Sequence, residues 1–324
     1  MSTLTVRALL AEGIKTLADD NDTAGARFIE PGASSLGQSE AGRDELRSYE
    51  VRRETELLLQ HALHVDRAWL FAHADDVVGD TLAGQFRGYL SRRAQGEPIA
   101  YITGRCEFFS LDLAVTPDVL IPRAETELLV EVALEKIPRD AEARIADLGT
   151  GSGAIALALA FERPQARVLA TDASAAALDV ARGNAQRLCL ANVEFARGEW
   201  CAALGDRVFD LIASNPPYIA VGDAHLGEGD LRFEPALALS SGADGLDAIR
   251  TIARDARAHL EPGGWLLFEH GRDQGAAVRE ILIANGYADA TTRHDLELRE
   301  RVTGARRAGA HAMLDRRPSP TPKP

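Results

Sequence analysis

Up to about residue 95 the apolar positions keep helical spacing. Leu4, Val6, Leu9, Leu10, Ile14 and Leu17 fall on one face, with Glu12, Asp19 and Asp20 around them. The pattern resumes at Asp44 to Leu63, Asp66 to His73 and Thr81 to Ala94, and Gly96-Glu97-Pro98 stops it. Between the first two helices, Asn21 to Gly42 is polar and rich in Gly and Ser, which predicts a loop or disorder. Arg52, Arg53, Glu54 and Glu56 read as a solvated helix face. The texture then changes. Ala100 to Thr103, Phe108 to Ala114 and Val119 to Ile121 are short strand-like runs separated by turn residues, which predicts a hairpin linking two domains. Pro122 closes it, and a helix is expected from Thr126 to Lys136.

From Arg144 the chain alternates between the two periods. Strands are predicted at 143–148, 166–171, 192–196, 208–214 and 264–269, and helices at 153–162, 174–186, 244–260 and 273–285. That alternation implies a mostly parallel sheet covered on both faces. A final pair, 287–292 and 300–305, closes it as an antiparallel edge and brings the strand count to seven. The expected organisation is a helical domain over 1–98, a hairpin linker over 99–121, a doubly wound α/β domain over 122–306 and a disordered Pro-rich tail over 307–324.

Composition narrows this picture in a few respects. With 46% hydrophobic and 26% charged residues the chain has the make-up of a globular protein. Its net charge of −13 disfavours broad binding to phosphate backbones. Three unpaired-looking cysteines, Cys106, Cys189 and Cys201, fit a reducing compartment, and no His/Cys/Asp cluster has metal-ligand spacing. No apolar run approaches membrane-spanning length and the N-terminus lacks a signal peptide, so a cytoplasmic protein is expected.

Two motifs carry chemistry. The first is Asp147-Leu148-Gly149-Thr150-Gly151-Ser152-Gly153, between a predicted strand and a predicted helix. Its glycines allow a sharp turn and bring bare backbone close to a ligand outside the carboxyl end of the strand. The next strand ends at Asp172, whose carboxylate can accept both hydroxyl hydrogen bonds of a ribose. A plain turn with Asp172 or Ser174 capping a helix explains the same residues less fully, because turn and acid occur at matched strand ends. The signal points to a nucleoside cofactor without saying which. Past the third strand, Gly198-Glu199-Trp200 offers an aromatic face for an adenine and a carboxylate for its amino group; a half-buried Trp covering the sheet edge is the equal alternative.

The second motif is Asn215-Pro216-Pro217-Tyr218 at the end of the fourth strand. The prolines fix φ and donate no N–H, and Asn215 before proline is biased to an extended backbone. The result is a stiff turn offering acceptors, the Asn215 side-chain oxygen and the carbonyls around Pro216, beside the Tyr218 ring. Two such acceptors can hold both hydrogens of a planar –NH₂ group, and the ring can lie on its π system. That nitrogen is an amide or an aromatic amine. Its delocalised lone pair needs orientation rather than a strong base, and alignment with an electrophile is worth up to ~7–11 kcal/mol of barrier.

The motifs together resemble the S-adenosylmethionine-dependent protein glutamine N5-methyltransferases that modify peptide chain release factors, the PrmC or HemK family. Further matching segments are Glu54-Thr55-Glu56-Leu57-Leu58-Leu59, Arg93 to Gly104, Leu120 to Glu127, Arg232-Phe233-Glu234-Pro235, Phe268-Glu269-His270-Gly271 and Glu300-Arg301-Val302. The resemblance implies a Rossmann-like class I methyltransferase domain behind a helical domain that helps grip class 1 release factors. It implies that Gly149, Thr150, Gly151, Ser152 and Gly153 line the methionine part of S-adenosylmethionine, that Asp172 binds the ribose, and that Glu199 and Trp200 meet the adenine. Asn215 would touch cofactor and substrate, and Asn215, Pro216, Pro217 and Tyr218 would hold the glutamine of a Gly-Gly-Gln tripeptide, with Asn215, Pro216 and Tyr218 as the catalytic set. Ala124 stands where the family commonly has proline, and Glu199 where aspartate is usual. The alternatives are a ribosomal-protein glutamine methyltransferase, a methyltransferase of adenine N6 or guanine N2 in nucleic acid, a nicotinamide-dependent oxidoreductase sharing the glycine turn, and a non-catalytic cofactor-binding regulator.

Overall fold

A computed structural model describes residues 4–23, 40–227 and 229–309. The chain divides into two compact units. One is formed by the chain up to Gly104 together with Ala224–Phe233, the other by Arg105–Asp223 and the chain from Glu234 onward. Of the predicted 21–42 loop, the first helix takes 21–23 and the second 40–42; the rest, and the tail from 310, lie outside the described residues.

The first unit is helical: α1 (Val6–Thr23), α2 (Glu40–Leu63), α3 (Arg67–Ala72), α4 (Asp80–Ala94) and α5 (Ile99–Thr103). Its core comes from the apolar face read in α1, with Val6, Leu9 and Leu17 buried, and from Val51, Leu58, Leu59 and Ala62 of α2 and Ala83, Phe86 and Leu90 of α4. Apart from the adjacent Leu58 and Leu59, these recur at intervals of three, four, seven and eight, the condition for one buried helical stripe. Asp66 caps α3 by accepting from the Trp69 N–H at 2.7 Å.

Three expectations fail here. Ala100 to Thr103 is helix, not strand. Pro98 supplies a fixed φ in front of α5, the Ile102 N–H donates to the Pro98 carbonyl, and Gly104 at φ +71° ends the turn. A four-residue apolar run is too short to show its period. Val119 to Ile121 is not a strand either: the Val119 N–H closes a turn onto Thr116 and the Ile121 N–H donates to the Glu234 carboxylate, so no strand ladder remains to be filled. Nor is the α2 charge run wholly solvated. Glu56 is buried between Arg52 and Arg67, and Glu54 pairs with the buried Arg93.

The second unit opens with the hairpin β1 (Arg105–Phe108) and β2 (Leu111–Ala114), turned by Phe109 and Ser110, both at positive φ. A short turn of 3₁₀ helix at Ala124–Thr126 leads into α6 (Glu127–Lys136). Then follow β3 (Arg144–Leu148), α7 (Ala154–Glu162), β4 (Arg167–Asp172), α8 (Ala175–Arg187), β5 (Val193–Arg197), β6 (Phe209–Ser214), α9 (Asp247–Ala256), β7 (Leu260–Glu269), α10 (Gly275–Ala284), β8 (Tyr287–His294) and β9 (Glu300–Arg307). The sheet runs β5-β4-β3-β6-β7-β9-β8, with β9 antiparallel to β7 and to β8 and the rest parallel. All seven predicted strands are present. One apolar cluster, built from α6, α7 and the sheet, covers one face, and a second, built from α9 and α10, covers the other. The order of strands reverses between β3 and β6, the switch point where such sheets open a crevice for ligands. Among the described residues no helix is long and apolar enough to cross a membrane.

Candidate functional site

Strand register builds the site. Leu148 of β3 lies opposite Thr171 of β4 on one side and Ser214 of β6 on the other, and Ser214 lies opposite Phe268 of β7. The residues one step further, Gly149, Asp172, Asn215 and Glu269, therefore emerge side by side along the carboxyl edge of four neighbouring strands. The Ser214 hydroxyl locks that row by donating to the Leu148 carbonyl at 2.7 Å.

At β3 the chain turns through Gly149, Gly151 and Gly153, at φ +74°, +55° and +89°. The Gly149 and Thr150 N–H groups both donate to the Thr171 carbonyl, at 2.9 and 2.8 Å. The Thr150 hydroxyl donates to Asp147 at 2.6 Å, and the Ser152 carbonyl accepts from Asn184 at 2.9 Å. A Cβ on Gly153 would lie 3.0 Å from Leu157, whereas one on Gly151 would enter open space. Asp172, half-buried at the end of β4, accepts from the Gly151 N–H at 2.9 Å and from the Ser174 N–H at 2.8 Å. It thus clamps the middle of the glycine turn. Trp200 stands over the same turn at φ +45°, its ring 3.3 Å from where a Gly149 Cβ would be. Glu199 beside it is exposed.

Beneath the turn, Asp147 is fully buried. Its Oδ2 accepts from Thr150 and, at 3.2 Å, from the Ala156 N–H, while Oδ1 has no partner. Burial pushes this carboxyl up to about 7 against those two hydrogen bonds.

The Asn-Pro-Pro-Tyr turn is braced from behind. The Gln274 side chain donates to the Tyr218 carbonyl at 3.0 Å, and that carbonyl occupies the place of a Cβ on Gly245, whose φ is +78°. The Asn215 amide donates from Nδ2 to the buried Thr126 hydroxyl at 3.1 Å, and the Tyr218 hydroxyl donates to Glu269 Oε1 at 3.3 Å. Burial pushes the Glu269 carboxyl up to about 7, opposed first by the Thr126 hydroxyl and then by the Arg301 charge; Oε2 has no partner. Burial raises the Tyr218 phenol, so it stays neutral.

The expected cofactor and substrate residues thus lie on the second unit: the glycine turn with Asp172 bonded to it and Trp200 over it, and Asn215 to Tyr218 at the next strand end. Glu199 alone projects to solvent. Sequence reasoning passed over Asp147, Thr126, Glu269, Gly245 and Gln274 as site residues. Asp147, just before the end of an apolar run, and Glu269, at the end of one, are acids near strand termini, which was a usable signal. Thr126 stood inside the matching segment Leu120 to Glu127 without a role, and Gly245 and Gln274 gave no signal.

Residues 40–104 match the PrmC N-terminal domain, and residues 124–228 match the methyltransferase small domain. The release factor glutamine methyltransferase of Xylella fastidiosa (strain Temecula1) is 57% identical over 258 residues, covering 80% of this chain and 94% of that one. The protein of the same name from Coxiella burnetii is 49% identical, covering 79% and 92%. Among solved structures, the hMettl16 catalytic domain in complex with MAT2A 3'UTR hairpin 6 superposes with a TM-score of 0.53 at 16% identity, over 68% of this chain and 83% of that chain, a likeness of fold alone. At this level of identity and coverage the chain belongs to the release factor glutamine methyltransferase family.

Proposed function

We propose that this protein transfers the methyl group of S-adenosylmethionine to the side-chain amide nitrogen, N5, of the glutamine in the Gly-Gly-Gln tripeptide of class 1 peptide chain release factors. The observation that carries the reading is the row at the sheet edge: a cradle of Gly149 to Gly153, Asp172 and Trp200 one strand away from the stiff acceptor turn at Asn215.

The cradle fits the cofactor on three counts. A Cβ-sized opening lies at Gly151, a half-buried carboxylate stands at Asp172, and Asp147 keeps a buried oxygen free for a cation. S-adenosylmethionine, when bound, supplies an electrophilic methyl group on a sulfonium. Thr150 and Ser152 shape the glycine turn, Asp172 takes the ribose hydroxyls, Trp200 faces the adenine, and Glu199 lies beside it. Asn215 Oδ1 and the Pro216 carbonyl each accept one hydrogen of the substrate amide, while Pro217 and the Tyr218 ring fix its plane. The nitrogen's lone pair is thereby aimed along one line, and exclusion of water by Pro216 and Tyr218 keeps it there. No general base is required before transfer, since the proton leaves once the amide has become cationic. The helical unit supplies grip on the release factor, and the setting is the cytoplasm, where translation ends.

The test is mass spectrometry of purified release factor incubated with enzyme and cofactor, with nuclease-treated controls. The mass gain of one methyl group on the Gly-Gly-Gln glutamine supports the reading; label in nucleic acid and none in protein sinks it.

A further inference from the structure

Tyr218, the aromatic end of the Asn-Pro-Pro-Tyr turn, is held twice. Its hydroxyl is tied to Glu269 at 3.3 Å and its carbonyl to Gln274 at 3.0 Å. The second hold has a polarity that the surrounding residues fix. We infer that Gln274 is a positioning residue for methyl transfer: kept with its oxygen towards Gly271 by a run of hydrogen bonds that passes through His270, it sets the Tyr218 carbonyl and with it the pose of the turn beside the substrate amide. This rests on the reading of the site given above.

Donors and acceptors fix the direction. The Gly271 N–H can only donate, and it meets Gln274 Oε1 at 2.8 Å. The carbonyls of Tyr218 and Asp244 can only accept, and Gln274 Nε2 donates to them at 3.0 and 3.2 Å. Both Nε2 hydrogens are therefore used. Turning the amide over would set an oxygen against two carbonyls and an –NH₂ against an N–H, so one orientation survives. Gly271 is itself held. Its carbonyl accepts from the Gln274 N–H at 2.9 Å and from His270 Nδ1 at 2.8 Å, so Nδ1 carries the hydrogen. Burial holds the His270 ring below the ordinary histidine value, which leaves it neutral with Nε2 as an acceptor. The partner of Nε2 is the buried Thr303 hydroxyl at 2.8 Å, whose proton is committed there. Thr303 then accepts from Thr292 at 2.8 Å, and Thr292 accepts from Arg279, which can only donate. From Arg279 to Tyr218 every donor meets an acceptor. Register brings the members together: Thr303 of β9 lies opposite Thr292 of β8 and opposite Phe268 of β7, just ahead of His270. Gly245 completes the seat, since a Cβ there would fall 2.1 Å from the Tyr218 carbonyl oxygen and 2.9 Å from Gln274 Nε2. Gln274 acts through Tyr218 and is assigned no contact with the substrate.

The test uses the full chain with Gln274→Glu and Gln274→Met, both close to glutamine in length. Glu keeps the acceptor for Gly271 but sets a carboxylate oxygen against the two carbonyls; Met removes the donor without that repulsion. Gln274→Met lowers kcat with release factor roughly tenfold, the loss of an oriented donor, and Gln274→Glu lowers it further. The KM for S-adenosylmethionine stays at the wild-type value in both, because the glycine turn lies outside the run. Wild-type kcat in Gln274→Glu overturns the assignment. So does a loss in Glu no greater than in Met, or a rise in that KM that matches the fall in kcat. Two readouts need no substrate. Nitrogen NMR of histidine-labelled protein finds the His270 hydrogen on Nδ1 at neutral pH; a hydrogen on Nε2 overturns the run. Exchange of the Ile219 N–H, which shares the Tyr218 peptide group and donates to the Leu239 carbonyl at 3.0 Å, is slow in wild type and faster in Gln274→Glu. Equal exchange in the two proteins overturns the hold on Tyr218. If wild type leaves release factor unmethylated while both readouts come out as expected, the substrate reading falls and the hold of Gln274 on the turn stands.

Discussion

Two buried carboxyls, Asp147 and Glu269, are the residues whose chemistry is least ordinary. Asp147 is the last residue but one of β3 and Glu269 the last of β7; each keeps one oxygen without a partner, and each titrates near neutrality because burial outweighs its hydrogen bonds. For Asp147 the folded-state value of about 7 lies above the ordinary 3.8, so the folded protein binds the proton more tightly than the unfolded chain. The stability this contributes is fully present below pH 3.8 and is lost as pH rises through about 7. The expected slope for one such group is on the order of 1.4 kcal/mol per pH unit across that window. In urea unfolding of the ligand-free protein, Asp147→Asn therefore gains on wild type as the pH is raised through this range. Parallel curves for the two proteins would show that Asp147 ionises freely. The catalytic side of the residue scale is Asn215: Asn215→Ala removes one acceptor from the amide cradle, and turnover of release factor falls on the order of 10²-fold, the cost of a misaligned reacting pair. Retention of near-normal turnover with purified release factor would contradict its role.

At the scale of elements, the glycine turn separates two uses of glycine that the sequence presents alike. Gly149 and Gly151 are both left-handed, at φ +74° and +55°. An alanine at either strains the backbone by ~1–2 kcal/mol. Only at Gly149 does the added Cβ also press on Trp200, 3.3 Å away; at Gly151 it points into open space. Gly149→Ala should thus displace Trp200 and quench or shift its fluorescence in the free protein. Gly151→Ala should leave the fluorescence alone and weaken S-adenosylhomocysteine, measured by calorimetry, well beyond its effect on melting temperature. The opposite pattern would place the ligand elsewhere. The strand and helix alternation after Arg144 was legible because each buried strand is a compact apolar run and each helix a long periodic one. What the sequence could not reveal was register. Nothing in the spacing of Gly149, Asp172, Asn215 and Glu269 says that they end level with one another; that follows from Leu148, Thr171, Ser214 and Phe268 pairing in one row. The short run at Ala100 to Thr103 misled for the reverse reason, since it was too brief to display a period and Pro98 and Gly104 decided its form locally.

For the whole molecule, the informative segment is Ala224–Phe233, which lies in the chain between Tyr218 and Glu234 yet packs within the helical unit. Its anchor is Arg93, buried on α4. The guanidinium forks onto Glu54 at 2.7 and 3.0 Å, reaches the Glu97 carbonyl at 3.1 Å and pairs with Asp230 at 3.2 Å. Arg232 adds a hydrogen bond to the Gln95 carbonyl at 2.8 Å. No pattern in the sequence joined Glu54 to Asp230, because a partner supplied from 137 residues past Arg93 is invisible to local periodicity. The physical stake is the charge left behind. Glu54 is already raised by burial, with Arg93 as the main force holding it down. Arg93→Ala strands that carboxylate and costs ~3–5 kcal/mol of stability. Arg93→Ala combined with Glu54→Gln recovers part of the loss, since the stranded Glu54 charge is gone, and not all of it, since the Asp230 carboxylate still lacks its partner. Chemical denaturation of the two variants against wild type measures this. Two proteins destabilised equally would mean that Glu54 finds water or another cation once Arg93 is gone, and that this ion cluster does not hold the segment in place.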